Sequence, residues 1–185
     1  MFETTPIDGL TVVRPVRHGD ARGFFSEVWK RSAFVEAGLD FDWCQDNHAR
    51  SAEAGVLRGL HYQAPPFAQA KLVRCARGRV WDVAVDVRPG SATYRQWHGL
   101  ELSEENWAQL LVPRGFLHGY VTLTPGAEVL YKVDNPYSPE HDGAVAWDDP
   151  EIGIDWPLEG APVLSARDRA APRLADWANP FGEHA

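Results

Sequence analysis

The stretch Val80-Trp81-Asp82-Val83-Ala84-Val85-Asp86-Val87 decides the fold class, because its side chains alternate with a period of two. Successive side chains of a β-strand point to opposite faces, so this alternation predicts a strand whose two faces differ. One predicted face carries Trp81, Val83, Val85 and Val87, and the other carries Asp82, Ala84 and Asp86. Turn-forming residues flank the strand at Arg77–Arg79 and Arg88–Ser91.

Further short runs of this kind lie at intervals of about ten residues along the middle of the chain. They are Lys71–Cys75, Trp97–Leu102, Ala108–Val112, Gly119–Leu123 and Ala127–Val133. The 16 glycines and 14 prolines are spread along the chain and separate these runs by turns. Many short strands divided by turns are typical of a β-sandwich or barrel, so we predict a mainly β jelly roll or a closely related barrel.

Helix signals are few and short. Ser26–Ala37 is predicted as one helix with Gly38 just past its end, and Ser103 as the N-cap of a single turn. A third helical segment is predicted at Ser165–Ala171, before Pro172. We therefore expect one domain over residues 1–185, with a jelly-roll core at about 45–160. N-terminal strands and the C-terminal helical segment are expected to pack on this core.

Composition excludes several classes of protein. A hydrophobic fraction of 44% with 11% aromatic residues is too high for intrinsic disorder. The excess of 26 acidic over 18 basic side chains argues against nucleic acid or an anionic membrane as a partner. No apolar run approaches the ~18 residues of a membrane helix, and the first residues lack the pattern of a secretion signal. The two cysteines form no disulfide framework, so a reducing cytoplasm is expected.

The segment Gly55–Gln63 places Arg58 and His61 in an otherwise apolar strand between glycines. If His61 points into a barrel, its imidazole lies in a low-dielectric space, and its proton affinity suits base catalysis at neutral pH. The alternative is a histidine satisfied by hydrogen bonds in the core, and this segment alone favours neither. A carboxylate could orient a catalytic imidazole, and three aspartates are candidates that spacing does not separate: Asp82, Asp86 and Asp168.

A second histidine, His118, lies in the segment Pro113–Tyr120. Two such segments raise the question of a metal site, since jelly-roll proteins often use a His-x-His pair with further ligands. The first segment instead offers His61 and Gln63, an amide side chain is a poor ligand for transition metals, and a charged Lys71 is no ligand. We therefore predict no metal. The chain also has no glycine-rich phosphate loop, so no nucleotide cofactor is predicted.

Tyr131 shares a predicted strand face with Val129 and Val133. A phenol at this position could donate a proton opposite a base, or it could be an ordinary core aromatic with a satisfied hydroxyl. Cationic side chains stand in segments with little other charge at Arg22, Arg58, Lys71 and Arg167. Arginine suits phosphate oxygens and lysine can stabilise an enolate, although for any single one of these residues ordinary surface charge is the favoured interpretation.

Taken together, these segments resemble the dTDP-4-dehydrorhamnose 3,5-epimerase family, which are sugar-nucleotide epimerases of the cupin superfamily. The matching segments follow one another over nearly the whole chain. They are Gly19–Glu27, Gln45–His48, Val56–Gln63, Lys71–Arg74, Asp82–Asp86, Gly115–Gly119, Tyr131–Lys132, Trp147–Pro150 and Leu164–Asp168. The resemblance implies a cupin-like jelly roll with a few short peripheral helices.

The same resemblance implies epimerisation at C3 and C5 of dTDP-4-dehydro-6-deoxy-D-glucose, a step towards dTDP-L-rhamnose. The C4 ketone acidifies the protons on both carbons, so a base, an acid and an enolate-stabilising group suffice and no cofactor is needed. It also implies a homodimer in which strands are shared between subunits, so some residues would serve the neighbouring site.

Residue by residue, the resemblance makes His61 the base, Asp168 its carboxylate partner, Tyr131 the acid and Lys71 the enolate-stabilising group. It assigns nucleotide and sugar binding to a further set of residues. These are Arg22, Glu27, Gln45, Asn47, Arg58, His118, Asp142 and Arg167. Three positions depart from the family's usual pattern, because Asp142 stands for Glu, Arg167 for Lys and Tyr120 for Phe.

Three other readings stay open at this point. A relative that epimerises only C3 or only C5 of the same substrate, for a specialised deoxysugar, can share the base and the acid. A metal-dependent cupin dioxygenase or isomerase would require bound metal for turnover. A non-catalytic sugar-binding cupin would have no need for His61, Asp168 and Tyr131 together.

Overall fold

Thirteen strands dominate the structure, a computed structural model that describes residues 1–182. The strands are β1 Phe2–Thr4, β2 Thr11–Val13, β3 His18–Asp20, β4 Gly23–Phe25, β5 Gln45–Arg50, β6 Leu57–Gln63, β7 Lys71–Arg77, β8 Arg79–Asp86, β9 Trp97–Ser103, β10 Gln109–Val112, β11 Phe116–Thr122, β12 Glu128–Val133 and β13 Asp142–Ala144. The helices are α1 Arg31–Glu36, α2 Ala166–Arg169 and a 3₁₀ helix Leu174–Asp176. None of these helices is long and apolar enough to cross a bilayer.

The strands form two large antiparallel sheets and a small hairpin. One sheet has six strands in the order β1-β2-β10-β7-β12-β5, and the other has five in the order β13-β6-β11-β8-β9. From β5 to β8 and again from β9 to β13, consecutive strands belong to opposite sheets. This crossing between two facing sheets is the arrangement of a jelly roll, so the predicted mainly β fold is confirmed.

In β8, the alternating side chains of residues 80–87 point into two different apolar cores. Val80 and Ala84 lie in the core between the sheets, whereas Val83 and Val85 lie in a second core on the outer face of the five-stranded sheet. The C-terminal segment covers that outer face, with Trp156, Leu174 and Phe181 among its buried side chains. Both faces of β8 are therefore buried, and this strand lies inside the protein.

A third cluster lies on the six-stranded sheet, where Phe34 of α1 packs with Val13, Leu72 and Leu111. The predicted helix Ser26–Ala37 is too long, because α1 begins only at Arg31. The hydroxyl of Ser26 accepts a hydrogen bond from Trp107 Nε1 at 3.1 Å, and the carbonyl of Val28 accepts one from Gln109 Nε2 at 2.7 Å. These tertiary bonds replace the helical bonds that the local sequence would otherwise form.

The other two predicted helical segments are present, and each begins with a capping serine. Ser165 caps α2, since its hydroxyl accepts a hydrogen bond from the backbone N–H of Asp168 at 3.0 Å. Ser103 caps a single turn in the same way, with the N–H of Asn106 at 3.0 Å. The cap at Ser165 matters for the site, because it holds Asp168 at the start of a helix that packs against β6.

Candidate active site

A cavity of about 250 Å³ lies between the two sheets, and α2 contributes to its wall. Its lining consists of Ala49, Arg58, His61, Lys71, His118, Tyr120, Tyr131, Ser165, Arg167 and Asp168. A hollow of similar volume, about 240 Å³, lies beside β5, β7 and β12, but its lining lacks His61, Lys71 and Asp168. The interior cavity is therefore the candidate active site, since it collects a base, an acid and several cations.

The pairing of β6 with β11 brings the two histidines together. His61 and His118 are directly opposite in this antiparallel pair, so their side chains lie on the same face of the sheet. The strands approach closely at Gly59, where an added Cβ would lie 2.6 Å from the Cα of Gly119. Gly59 also has φ +148°, a conformation that favours glycine, so a side chain at this position would push β6 away from β11.

His61 is held by Asp168. The distance between His61 Nε2 and Asp168 Oδ1 is 2.5 Å, and the aspartate side chain is only 3% exposed, against 28% for the histidine. Ser165 donates a hydrogen bond from its hydroxyl to the other carboxylate oxygen at 2.9 Å. Burial opposes ionisation of Asp168, but His61, Ser165 and the charge of Arg167 outweigh it and hold its pKa below the usual value.

The three candidate aspartates thus have different partners. Asp82 pairs with His118 instead of His61, with 2.9 Å between His118 Nε2 and Asp82 Oδ1, and its other oxygen is buried without a partner. Asp86 accepts hydrogen bonds from Arg88, Ser91 and Thr93 and organises the turn after β8. Asp82 thus positions His118. The sequence had indicated Asp82 only as one of three possible partners for a histidine.

Lys71 begins β7 and enters the cavity from the six-stranded sheet. Burial lowers the pKa of its amine to about 8, while Asp142 and Asp82 oppose that effect and Arg167 adds to it. Its ammonium therefore persists at neutral pH and loses its proton only slightly above it. A desolvated cation of this kind is well suited to stabilise a negative oxygen that forms during a reaction.

Tyr131 lies on β12, where it is directly opposite Asn47 of β5 and Val73 of β7. Burial raises the pKa of its phenol, the cation of Arg58 opposes that rise, and Asp142 adds to it. The phenol therefore keeps its proton at neutral pH. Because His61 belongs to the five-stranded sheet and Tyr131 to the six-stranded sheet, an imidazole and a phenol line the cavity from facing sheets.

Two of the expected binding residues form an ion pair at the rim. Arg167 Nη1 donates to Asp142 Oδ2 at 2.6 Å, and its Nη2 donates to the carbonyl of Gly143 at 3.1 Å. The hydroxyl of Tyr137 donates to the same carboxylate oxygen of Asp142 at 3.1 Å. Asp142 and Arg167 both depart from the residues that are usual in the resembled family, and in this structure they form a hydrogen-bonded pair.

Five expected binding residues do not line the cavity, namely Asp142 at its rim and Arg22, Glu27, Gln45 and Asn47. Arg22 pairs with Asp20 on the exposed hairpin β3–β4. Glu27 forms a surface ion pair with Lys30, with 3.4 Å between Glu27 Oε1 and Lys30 Nζ. Gln45 donates to Asn47 at 2.8 Å on β5, the edge strand of the six-stranded sheet. The cavity within one chain is therefore built from the catalytic candidates and from Arg58, His118 and Arg167.

Metal-ligating side chains do not converge at this site. Within residues 1–182, no group of three or more His, Cys, Asp or Glu side chains is arranged to hold a metal ion. The ring nitrogen Nε2 of each cavity histidine, His61 and His118, is instead bonded to a carboxylate.

A jelly roll with an imidazole and a phenol lining one cavity fits an isomerase of the cupin type. The chain belongs to the dTDP-4-dehydrorhamnose 3,5-epimerase family, whose family model matches residues 4–176. The earlier resemblance is thereby confirmed over nearly the whole chain.

Similarity to individual proteins agrees with this membership. The chain is 50% identical over 175 residues to the dTDP-4-dehydrorhamnose 3,5-epimerase of Sinorhizobium fredii, covering 95% of this chain and 90% of that relative. A dTDP-6-deoxy-D-glucose-3,5-epimerase from Legionella pneumophila, solved in complex with dTDP-4-keto-L-rhamnose, superposes with a TM-score of 0.93 at 42% identity, covering 96% of this chain and 94% of that one. A 3'-monoepimerase from Streptomyces bikiniensis, in complex with dTDP-quinovose, gives a TM-score of 0.89 at 35% identity, covering 97% and 92%.

Proposed function

We propose that this chain epimerises C3 and C5 of dTDP-4-dehydro-6-deoxy-D-glucose to give dTDP-4-dehydro-L-rhamnose, a step of dTDP-L-rhamnose biosynthesis. The observation that carries the proposal is the placement of His61 and Tyr131 on facing sheets around one cavity, with Lys71 beside them. Inversion at a carbon requires a base on one face and an acid on the other, and this cavity has both.

The reaction begins at His61. Its imidazole removes the proton from C3, and the electrons of the C–H bond form a C3–C4 double bond as the C4 carbonyl oxygen becomes an enolate oxygen. The imidazole becomes an imidazolium, which the ionised Asp168 stabilises through its 2.5 Å hydrogen bond. Asp168 stays ionised because the same contacts that orient it also lower its pKa.

Lys71 and Tyr131 complete the inversion. The ammonium of Lys71 stabilises the enolate oxygen, and the phenol of Tyr131 returns a proton to the opposite face of C3, which restores the ketone. Proton exchange with water then regenerates the neutral imidazole and the phenol. The same cycle inverts C5, and the two inversions can follow in either order, because C5 is also adjacent to the C4 carbonyl.

The cavity is locally cationic although the chain carries a net charge of −8. Arg58, Lys71 and Arg167 line it, and Asp168 is the one carboxylate among its lining residues. A concave site with this charge attracts an anionic diphosphate even in an acidic protein. We therefore assign Arg58, Arg167 and His118 to binding of the nucleotide sugar, with Asp142 holding Arg167 in place.

A single-carbon epimerase of the same substrate is the second candidate function. The similarity to a 3'-monoepimerase is the observation that favours it, since it matches 97% of this chain. The same base and acid serve either reaction, and the position of the sugar relative to them decides which carbon is reached.

Deuterium exchange separates these functions. The purified protein is incubated in D₂O with dTDP-4-dehydro-6-deoxy-D-glucose and a coupled reductase, and the product is analysed by NMR. Deuterium at both C3 and C5 is the expected result. Deuterium at one carbon would establish the single-carbon function instead, and its absence from both would refute an epimerase.

We propose that the active protein is a homodimer with strands shared between subunits. Arg22 and Glu27 lie outside the cavity of their own chain, and the exposed hairpin of Arg22 also carries Phe24 and Phe25, which are 52% and 66% exposed. An apolar hairpin with an arginine at its tip fits the role of completing a neighbouring site. Gln45 and Asn47 would then contact the nucleotide beside that hairpin.

We also propose that residues 1–185 act as one epimerase domain. The support is that β1 and β2 extend the six-stranded sheet, while the C-terminal segment packs on the five-stranded sheet. The expected site of action is the cytoplasm, because Cys44 and Cys75 are both free thiols, as is usual in a reducing compartment.

A further inference from the structure

Tyr120 is a second phenol in the cavity. It lies on β11, directly opposite Asp82 of β8 and Arg58 of β6, and it lines the cavity together with Tyr131. Its side chain is only 6% exposed and packs in the core between the sheets. The mechanism above uses one phenol and leaves this one without a role.

Among the hydrogen bonds formed within residues 1–182, none involves the hydroxyl of Tyr120, and no hydrogen bond contributes to the shift of its pKa. The fully enclosed polar side-chain atoms without a partner are Trp29 Nε1, Trp81 Nε1 and Asp82 Oδ2, and the hydroxyl of Tyr120 is not among them. It therefore has access to the open space of the cavity that its side chain lines. A phenylalanine would fill the same apolar space, but only a tyrosine offers a hydroxyl to a ligand in the cavity.

The surroundings of Tyr120 also determine that its phenol acts as a hydrogen-bond donor. Burial raises the pKa of its phenol well above the usual range, with the nearby cation of Arg58 only partly opposing the rise. Tyr120 therefore keeps its proton at neutral pH. It can donate a hydrogen bond to a ligand oxygen, but it does not serve as a base.

We infer that Tyr120 is a specificity-determining residue whose hydroxyl donates a hydrogen bond to an oxygen of the hexose in the cavity. This inference rests on the proposed function, because the cavity must hold the sugar between His61 and Tyr131. In the complex, the hydroxyl reaches an oxygen of that sugar. It selects for the sugar part of the ligand, not for the nucleotide part.

Binding measurements on wild type and Tyr120→Phe test this without requiring turnover. Calorimetry with dTDP-glucose and with dTDP alone separates the sugar from the nucleotide. We expect Tyr120→Phe to weaken dTDP-glucose by about three- to tenfold, as for the loss of one hydrogen bond, and to leave dTDP unchanged. Tyr94→Phe, which removes a hydroxyl from the exposed turn after β8, is the matched control and should change neither affinity.

Kinetics give a second readout. With dTDP-4-dehydro-6-deoxy-D-glucose, Tyr120→Phe should raise KM by a similar factor and leave kcat nearly unchanged, because the bond is present before and during proton transfer. Thermal unfolding checks that the variant is folded. The inference is overturned if Tyr120→Phe binds both ligands as wild type does, if it weakens both equally, or if wild type itself does not prefer dTDP-glucose to dTDP.

Failure of the proposed function would look different. A wild-type protein that binds dTDP-glucose but exchanges no proton at C3 or C5 would refute the epimerase. The comparison of dTDP-glucose with dTDP would still decide the role of Tyr120 in that case.

Discussion

His61 and Asp168 are 107 residues apart in sequence, yet His61 Nε2 and Asp168 Oδ1 are 2.5 Å apart in the structure. The histidine comes from the five-stranded sheet and the aspartate from α2, which is capped by Ser165. The aspartate is almost completely buried, so the pair can act as a base with a fixed orientation.

Replacement of the base should stop the chemistry and spare binding. His61→Asn keeps a polar side chain but removes the proton acceptor, so we expect deuterium exchange at both C3 and C5 to fall by at least about 10³-fold. Binding of dTDP, measured by calorimetry, should stay close to wild type. His48→Asn, at an exposed histidine paired with Glu128, is the control and should keep full exchange. Wild-type exchange in His61→Asn would show that another group is the base.

Replacement of Tyr131, the proposed acid, should slow inversion more than it slows proton exchange. In Tyr131→Phe the base can still remove and return a proton on its own face, but the opposite face has no proton donor. We therefore expect inversion to slow by about 10²-fold while deuterium exchange falls much less. NMR in D₂O measures both quantities in one sample. Equal losses of inversion and exchange, or wild-type inversion, would contradict the assignment of Tyr131.

The charge on Lys71 should produce an alkaline limit to activity. Burial lowers its pKa to about 8, so the ammonium is present below that pH and is lost above it. We expect kcat/KM to fall as the pH rises through about 8. Lys71→Arg keeps a cation at alkaline pH and should move this fall to higher pH, even if its overall rate is lower.

The control for Lys71 is Lys132→Met. Lys132 pairs with Asp46 at 2.9 Å, and its side chain does not line the cavity. Its removal should leave the alkaline limit in place. An unchanged limit in Lys71→Arg would assign the titration to a different group.

Asp168 should also make stability depend on pH. Its pKa is lowered in the folded protein, so it contributes stability above its unfolded pKa of about 4. That contribution is lost as the pH falls through the lower, folded pKa, because protonation then removes the interactions with His61. The difference in unfolding free energy between wild type and Asp168→Asn should therefore shrink as the pH falls below about 4. Denaturant unfolding between pH 3 and pH 7 measures it, and a constant difference would refute the shift.

The proposed dimer can be tested by mixing inactive variants. If Arg22 serves the neighbouring subunit, a dimer of one Arg22→Ala chain and one His61→Asn chain contains one intact site. Equal mixing with subunit exchange should therefore restore about a quarter of wild-type activity. Mixing Asp168→Asn with His61→Asn should restore none, because both residues belong to one chain's cavity. No recovery in the first mixture would place Arg22 in its own chain's site or outside both.

Local pattern predicted some elements well and one poorly. Strand β8 and the cap at Ser103 follow from side chains that interact with their own neighbours in sequence. The predicted helix at Ser26–Ala37 was wrong in its first half, because Ser26 and Val28 bond to Trp107 and Gln109 more than 80 residues later. Such distant bonds have no signature in the local sequence.

The sequence by itself determined the fold class, the strand faces and the chemical types of the candidate catalytic groups, because alternation and side-chain chemistry are local properties. Only the tertiary structure decided which carboxylate meets which histidine, since Asp168 and Asp82 are equally plausible partners by spacing. It alone lowered the pKa of Lys71 and brought the phenol of Tyr120 to the cavity, because both effects come from burial between sheets that meet only when the whole chain is folded.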